Sequence, residues 1–185
     1  MMEFEEKVQA TKPVFSGHLI DVEVQTVVTP KGQEATREVV HHAPAVALLM
    51  VDDDDRAILM KQWRAPIKKV TLEVPAGKVD PRDGGDPQKA AIREMNEETR
   101  LQAAHLKKIN AAYTSVGFCD EYMTTYYATG LTPVTTALPQ DADEELAMVK
   151  VTKDEAKAMI ESGEIEDQKT VSALYYWFAQ DVTHG

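Results

Sequence analysis

The strongest constraint on the fold is a nearly continuous apolar run, Ala45–Val51, which follows Pro44 and ends at four consecutive aspartates. A second apolar run, Ala57–Met60, comes directly after this acidic segment. Runs this short and this apolar are typical of strands that are buried on both faces. We therefore predict two core strands joined by an acidic turn, whose aspartates either face solvent or bind a metal ion.

The rest of the chain predicts an α+β fold. A small antiparallel meander is expected at the N-terminus, because polar and apolar residues alternate over Val14–Val28, a turn follows at 29–32, and apolar residues come after Glu38. We therefore expect an N-terminal unit at 1–42 and a main domain at 43–185. Asp86 and Pro87 suit the N-cap and first position of a helix that reaches Thr99. Further strands are predicted at 106–112, 122–129 and 147–152, and further helices at 153–162 and 169–180.

The charge balance excludes some partners. A formal net charge of -11 disfavours binding to nucleic acid polymers, whereas a bound cation still permits a small phosphorylated substrate. No apolar stretch is long enough to span a membrane, and the first residues lack the pattern of a secretory signal. With the single cysteine Cys119 no internal disulfide can form, so we expect a cytoplasmic protein without membrane partners.

Three glutamates in the predicted helix lie at positions 94, 97 and 98. These spacings place them on one helical face, where like charges destabilise each other unless a cation neutralises them. Mg²⁺ takes hard oxygen ligands and completes its shell with water and phosphate, so a divalent metal fits this face. The same spacing is also compatible with an exposed acidic face that binds nothing.

A strand and a polar loop precede this helix, and together they can bring backbone carbonyls and carboxylates to one metal centre. The stretch resembles the Nudix box, the motif of the Nudix hydrolases, at Gly77, Arg93, Glu94, Met95, Glu97, Glu98 and Leu101. The resemblance implies a Nudix-type α/β/α sandwich with a mixed sheet plus a small N-terminal antiparallel sheet. It also implies metal-dependent hydrolysis of the pyrophosphate bond of a nucleoside diphosphate derivative.

The stretch departs from the box pattern in two places. The loop from Gly77 to Arg93 is two residues longer, so the slot of the first box glutamate holds Asp83 when counted from Gly77 and Gly85 when counted back from Arg93. Arg100 replaces the last box glycine, at a helix end where left-handed geometry costs a residue other than glycine about 1 kcal/mol. We expect strain or a changed helix end there.

Site roles follow from the resemblance. It implies that Mg²⁺ or Mn²⁺ is bound by the Ala76 carbonyl, Glu94, Glu97 and Glu98, and that Arg93 orients the glutamates. It also implies a catalytic carboxylate from a loop before the last helices, and the acidic segment 141–145 is the candidate. Within this segment Glu144 is our choice for the base or extra ligand, with a solvated acidic loop as the alternative.

Segments outside the box resemble the ADP-ribose pyrophosphatases, a subgroup that cleaves ADP-ribose to AMP and ribose 5-phosphate. These segments are 14–17, 37–42, 61–64, 72–78 and 113–118. Val116 stands where the subgroup usually has proline, which leaves other substrates such as nucleotide sugars open. A non-catalytic Nudix-fold module that binds nucleotides or regulates is a further alternative, motivated by Arg100, Ala142 and the longer loop.

Five residues are candidates for substrate binding. Arg37 and Arg64 can donate bidentate hydrogen bonds to phosphate or ribose oxygens, although either could form only a surface salt bridge. The resemblance suggests that Phe15 stacks on a purine, with core packing as the alternative, and that Glu73 accepts from ribose hydroxyls. Glu121 is a weaker candidate for a substrate contact.

The N-terminal meander has exposed strand edges that invite pairing with another chain. The resemblance implies a homodimer in which this sheet crosses to the partner subunit. Arg37 and Phe15 could then serve the neighbour's site.

Overall fold

A computed structural model of the chain describes residues 3–140 and 145–180, and it confirms the predicted α+β class. The strands are Lys7–Ser16 (β1), Ile20–Val28 (β2), Glu34–His42 (β3), Ala45–Val51 (β4), Ala57–Arg64 (β5), Lys69–Glu73 (β6), Ala76–Lys78 (β7), Leu101–Tyr113 (β8), Tyr122–Pro133 (β9) and Ala147–Val151 (β10). The helices are Pro87–Thr99 (α1), Lys153–Ser162 (α2) and Gln168–Ala179 (α3), with a 3₁₀ turn at Pro81–Asp83.

One compact unit contains the residues up to Pro44 together with Ala112–Met123. Here β1, β2 and β3 form an antiparallel sheet in that order. The single alternating segment predicted over Val14–Val28 was wrong, since a break separates β1 from β2 and β1 already starts at Lys7. All residues of β1 are exposed, so its sequence has no buried face to signal where the strand begins.

The second compact unit contains Ala45–Ala111 and the residues from Thr124 onward. Its sheet has the order β10, β5, β4, β9, β8, with β6 paired to β5 and β7 paired to β4. Every residue of β4 is buried, as the apolar run predicted. Val46, Leu48 and Met50 join Met95 of α1 in one core cluster, while α3 contacts β4 and the alternate residue Leu49 is equally buried. Helices therefore cover both faces of the central strand.

The aspartates after β4 form a hydrogen-bonded turn. Asp52 Oδ1 accepts from the backbone N–H groups of Asp54 and Arg56, each at 3.1 Å. Lys150 Nζ donates to Asp52 Oδ2 at 2.8 Å. Of the two alternatives for this segment, the geometry favours the solvent-facing turn.

Helix α1 begins and ends where the sequence indicates. The Asp86 side chain accepts from Gln88 N at 2.9 Å, as an N-cap does. Arg100 ends the helix in the left-handed region, with φ 62 and ψ 22, so the helix end is kept and the expected backbone strain is present. The Arg100 side chain donates to the carbonyl of Leu138. Within 3–140 and 145–180, no helix is long and apolar enough to cross a membrane.

Candidate active site

The guanidinium of Arg93 connects the loop after β7 with the carboxylates of α1. It donates to both oxygens of Asp83, from Nε at 3.0 Å and from Nη2 at 2.9 Å. Nη1 donates to Glu94 Oε1 at 2.7 Å and to Glu97 Oε2 at 2.8 Å, and Nη2 also donates to the Lys78 carbonyl at 2.9 Å. One side chain thus fixes two of the three predicted metal-binding glutamates.

This arrangement keeps Asp83 charged. Asp83 is 3% exposed, and its hydrogen bonds from Arg93 lower its pKa and raise that of Arg93. A buried carboxylate is stable in its charged form only with such a partner. Asp83 occupies the position of the first box glutamate when counted forward from Gly77, and there it holds Arg93 through two hydrogen bonds.

Gly77 makes room for the carboxylate of Glu94. A Cβ atom at position 77 would lie 2.0 Å from Glu94 Oε1 and 2.1 Å from its Cδ, closer than atoms can approach. Only glycine therefore lets this carboxylate rest against the backbone of β7, whose first residue is Ala76. The donor set of hard oxygens on α1 and this cradle fit a divalent metal such as Mg²⁺.

The carboxylates of Glu94 and Glu97 face the arginine. Among the described residues, no three His, Cys, Asp or Glu side chains form a ready-made metal site. Glu97 is 6% exposed and also pairs with Arg82 Nη1 at 3.5 Å. The metal roles of Ala76, Glu94, Glu97 and Glu98 remain predictions, supported by the chemistry of the donors.

Arg64 and Glu73, two of the predicted substrate-binding residues, meet at a cavity of about 330 Å³. Arg64 donates from Nε and Nη2 to the two oxygens of Glu73, both at 2.6 Å. The hydrogen bond with Glu73 raises the pKa of Arg64.

The sequence did not indicate the other partners of Glu73. Thr71 Oγ1 and Lys169 Nζ both donate to its carboxylate. Thr71 lies two positions away on the same strand, so alternation along β6 could have suggested that it shares a face with Glu73. Lys169 is 96 positions away on α3, and no sequence pattern signals that contact.

The other candidates belong to the first compact unit. Arg37 pairs with Glu6, its Nε donating to Glu6 Oε2 at 2.9 Å. Phe15 on β1 is 57% exposed, so within its unit the core-packing alternative is wrong. Glu121 accepts from Thr114 Oγ1 at 2.7 Å. Glu144 lies outside the described residues.

Comparisons with known proteins agree with this geometry. The NUDIX domain model matches residues 41–174. An ADP-ribose pyrophosphatase of Bacillus subtilis (strain 168) is 40% identical over 95% of this chain and 94% of its own length. A methanol dehydrogenase activator of Bacillus methanolicus is 36% identical over 96% of this chain and 95% of its own length.

The fold also matches a solved structure. A crystal structure described as an ADP compounds hydrolase has a TM-score of 0.83 and covers 99% of this chain and 97% of its own, at 21% identity. Identity this low supports the fold and nothing finer. With it, the predicted Nudix-type fold with a small N-terminal antiparallel sheet is confirmed.

Proposed function

Because this chain belongs to the NUDIX family, we propose that it hydrolyses the pyrophosphate bond of ADP-ribose to give AMP and ribose 5-phosphate. One observation carries the proposal: a single nitrogen of the nearly buried Arg93 guanidinium holds Glu94 and Glu97, two of the three predicted metal-binding glutamates of α1. Full-length likeness to an ADP-ribose pyrophosphatase supports the choice of substrate.

The proposed metal ligands are Glu94, Glu97, Glu98 and the Ala76 carbonyl. When bound there, Mg²⁺ or Mn²⁺ would neutralise pyrophosphate charge and lower the pKa of a water molecule. Arg93 would keep Glu94 and Glu97 oriented, since it donates to both of them from one nitrogen. Glu144 remains our choice for the carboxylate that takes the proton of the attacking water.

On the substrate side, Arg64 is proposed to bind phosphate oxygens. Two of its N–H groups donate to Glu73, its side chain is 40% exposed, and it lines the cavity. Glu73 holds Arg64 through both of its oxygens, and the ribose contact predicted for Glu73 remains a prediction.

We propose that the chain forms a homodimer through its first compact unit. Strand β1 is an edge strand, and the apolar side chains Val8, Val14 and Phe15 on it are each more than half exposed. Exposed apolar edge strands pair readily with a second copy. Residues 1–42 would then serve dimerisation, and Phe15 and Arg37 would reach the partner's substrate. A solution mass of 20.6 kDa, that of one chain, at micromolar concentration would contradict this.

The location proposed is the cytoplasm, since one cysteine leaves no internal disulfide to require an oxidising compartment.

A second candidate function is regulatory, favoured by the likeness to the methanol dehydrogenase activator. That role is compatible with hydrolysis, and a purified dehydrogenase assayed with and without this protein would detect it.

The test is a substrate panel with Mg²⁺ and with Mn²⁺, comparing kcat/KM for ADP-ribose with that for ADP-sugars and other nucleoside diphosphate derivatives. ADP-ribose is expected to give the highest value. A higher value for a nucleotide sugar would reassign the substrate within the same reaction. Calorimetric binding without turnover on every compound would replace hydrolysis by a binding role.

A further inference from the structure

Glu73 is the centre of a buried charge cluster in the second compact unit. It is 3% exposed, and its carboxylate accepts hydrogen bonds from three side chains, those of Arg64, Thr71 and Lys169. These partners come from β5, β6 and α3. Burial alone would raise the pKa of Glu73, but the bonds from Arg64 and Lys169 lower it to about 2, so the group is ionised at neutral pH.

The two cations of this cluster are placed differently. The Arg64 side chain is 40% exposed, whereas that of Lys169 is 13% exposed. Lys169 also lies 3.0 Å from Asp167 Oδ2, so its ammonium group is shared between two carboxylates. Both side chains line the cavity, but Arg64 is the more exposed of the two, whereas the ammonium group of Lys169 is paired with Glu73 and Asp167.

The first turn of α3 makes a second bond to the same segment. Thr170 Oγ1 accepts from the backbone N–H of Val74 at 2.9 Å and itself donates to Asp167 Oδ2 at 2.6 Å. Lys169 and Thr170 of α3 therefore hold Glu73, the last residue of β6, and Val74 next to it. A carboxylate held from two sides has little freedom to turn, and its arginine partner is held with it.

We propose that Lys169 is a positioning residue for substrate binding: through Glu73 it fixes the guanidinium of Arg64 in the orientation that receives the substrate's phosphate oxygens. The assignment rests on the proposed function for the identity of the substrate. Lys169 touches no substrate in this account, so its removal loosens Arg64 without removing the binding group itself.

The kinetic test compares Lys169→Met with Lys157→Met. Lys157 pairs with Asp154 on α2 at 3.5 Å, its side chain is 50% exposed, and it serves as the matched control. Loss of an oriented ground-state contact raises KM and leaves kcat nearly unchanged, and a loss of 1.4 kcal/mol corresponds to about tenfold. We expect KM for ADP-ribose to rise about tenfold in Lys169→Met and to stay within about twofold in Lys157→Met.

Two further measurements separate positioning from general damage. Lys169→Arg keeps the charge and should recover most of the KM. The Nε–H proton of Arg64, followed by ¹⁵N-edited NMR and assigned with Arg64→Lys, should exchange with water several-fold faster in Lys169→Met than in the wild type. This second readout needs no turnover, so it still tests the inference if ADP-ribose proves not to be the substrate.

The outcomes are decisive. A wild-type KM together with unchanged Nε–H exchange in Lys169→Met would overturn the assignment. A lower kcat and a lower melting temperature with no change in KM would also overturn the assignment, because this result would show a purely structural role for Lys169. Absence of ADP-ribose turnover by the wild type refutes the proposed function alone.

Discussion

Two carboxylate-rich segments among the described residues, the turn at 52–55 and the helix face at 94–98, are held in different ways. In the turn, Asp52 accepts backbone N–H groups and one exposed lysine, Lys150. On the helix, Glu94 and Glu97 share one nitrogen of an arginine that is 11% exposed. Carboxylate density alone therefore does not identify a site. A shared, nearly buried cation distinguishes the helix face from the turn.

The largest expected difference between the segments is in catalysis. Glu97→Gln and Glu98→Gln each remove a proposed metal ligand at almost constant volume, and we expect kcat to fall at least about 100-fold, since even loss of a group that orients a ligand costs 10- to 100-fold. Asp53→Asn and Asp54→Asn in the turn should leave kcat within about twofold. Steady-state assays of the four variants check this, and unchanged rates in both glutamine variants would refute the site assignment.

Stability should separate the segments next. Arg93→Met leaves the buried carboxylate of Asp83 without the arginine that holds both its oxygens and leaves Glu97 with Arg82 alone, and we expect the free energy of unfolding to fall by about 3–5 kcal/mol. Lys150→Met breaks the exposed pair with Asp52 and should cost about 0–1 kcal/mol. Urea unfolding at pH 7 measures both. Equal losses would show that the two clusters are equivalent.

Acid unfolding sharpens the comparison further. Because its bonds from Arg93 lower the pKa of Asp83 in the folded state, this group contributes stability above its unfolded value of about 3.9. That contribution is lost as the pH falls below this value. Asp83→Asn should therefore flatten the acid limb of melting temperature against pH, below about pH 4. The exposed turn residue Asp53, changed to Asn, is the control, and an equal flattening in both variants would contradict the account.

The smallest expected effect on stability concerns the residue that ends the turn and the residue that ends the helix. Asp55 has φ 52 and Arg100 has φ 62, both in the left-handed region. Arg100→Gly removes a steric cost of about 1 kcal/mol and loses an exposed side-chain bond to the Leu138 carbonyl, so it should stabilise the protein by up to about 1 kcal/mol. Asp55→Gly also loses the bonds to Trp177 Nε1 at 3.1 Å and to Lys153 Nζ at 3.2 Å, so it should be destabilising. Thermal melts of the two variants would give shifts of opposite sign, and a lower melting temperature for Arg100→Gly would contradict the prediction.

Elements with a buried face were predictable from sequence. The apolar run of β4 and the N-cap of α1 identify those elements because burial and capping leave local patterns. The start of β1 was missed because no residue of that strand is buried. β8 starts at Leu101 and not at 106, directly after the left-handed Arg100, since a helix can pass into a strand without a polar loop between them.

The residues of the candidate site also differ in how far the sequence predicts them. Glu94, Glu97 and Glu98 could be found because their spacing within one helix is fixed by the helix itself. Asp83 could be placed by counting from Gly77, but its bond to Arg93 depends on how the loop folds back. Lys169 could not be found, since its contact with Glu73 depends on the packing of α3 against the sheet.

The most direct test of the central claim is the identity of the products formed from ADP-ribose. The wild-type protein is incubated with ADP-ribose and Mg²⁺ or Mn²⁺, and AMP and ribose 5-phosphate are resolved by chromatography, with Glu97→Gln beside it. The account predicts equal amounts of the two products from the wild type and at least about 100-fold less from the variant. Intact ADP-ribose with both metals, or equal turnover by the variant, would contradict it.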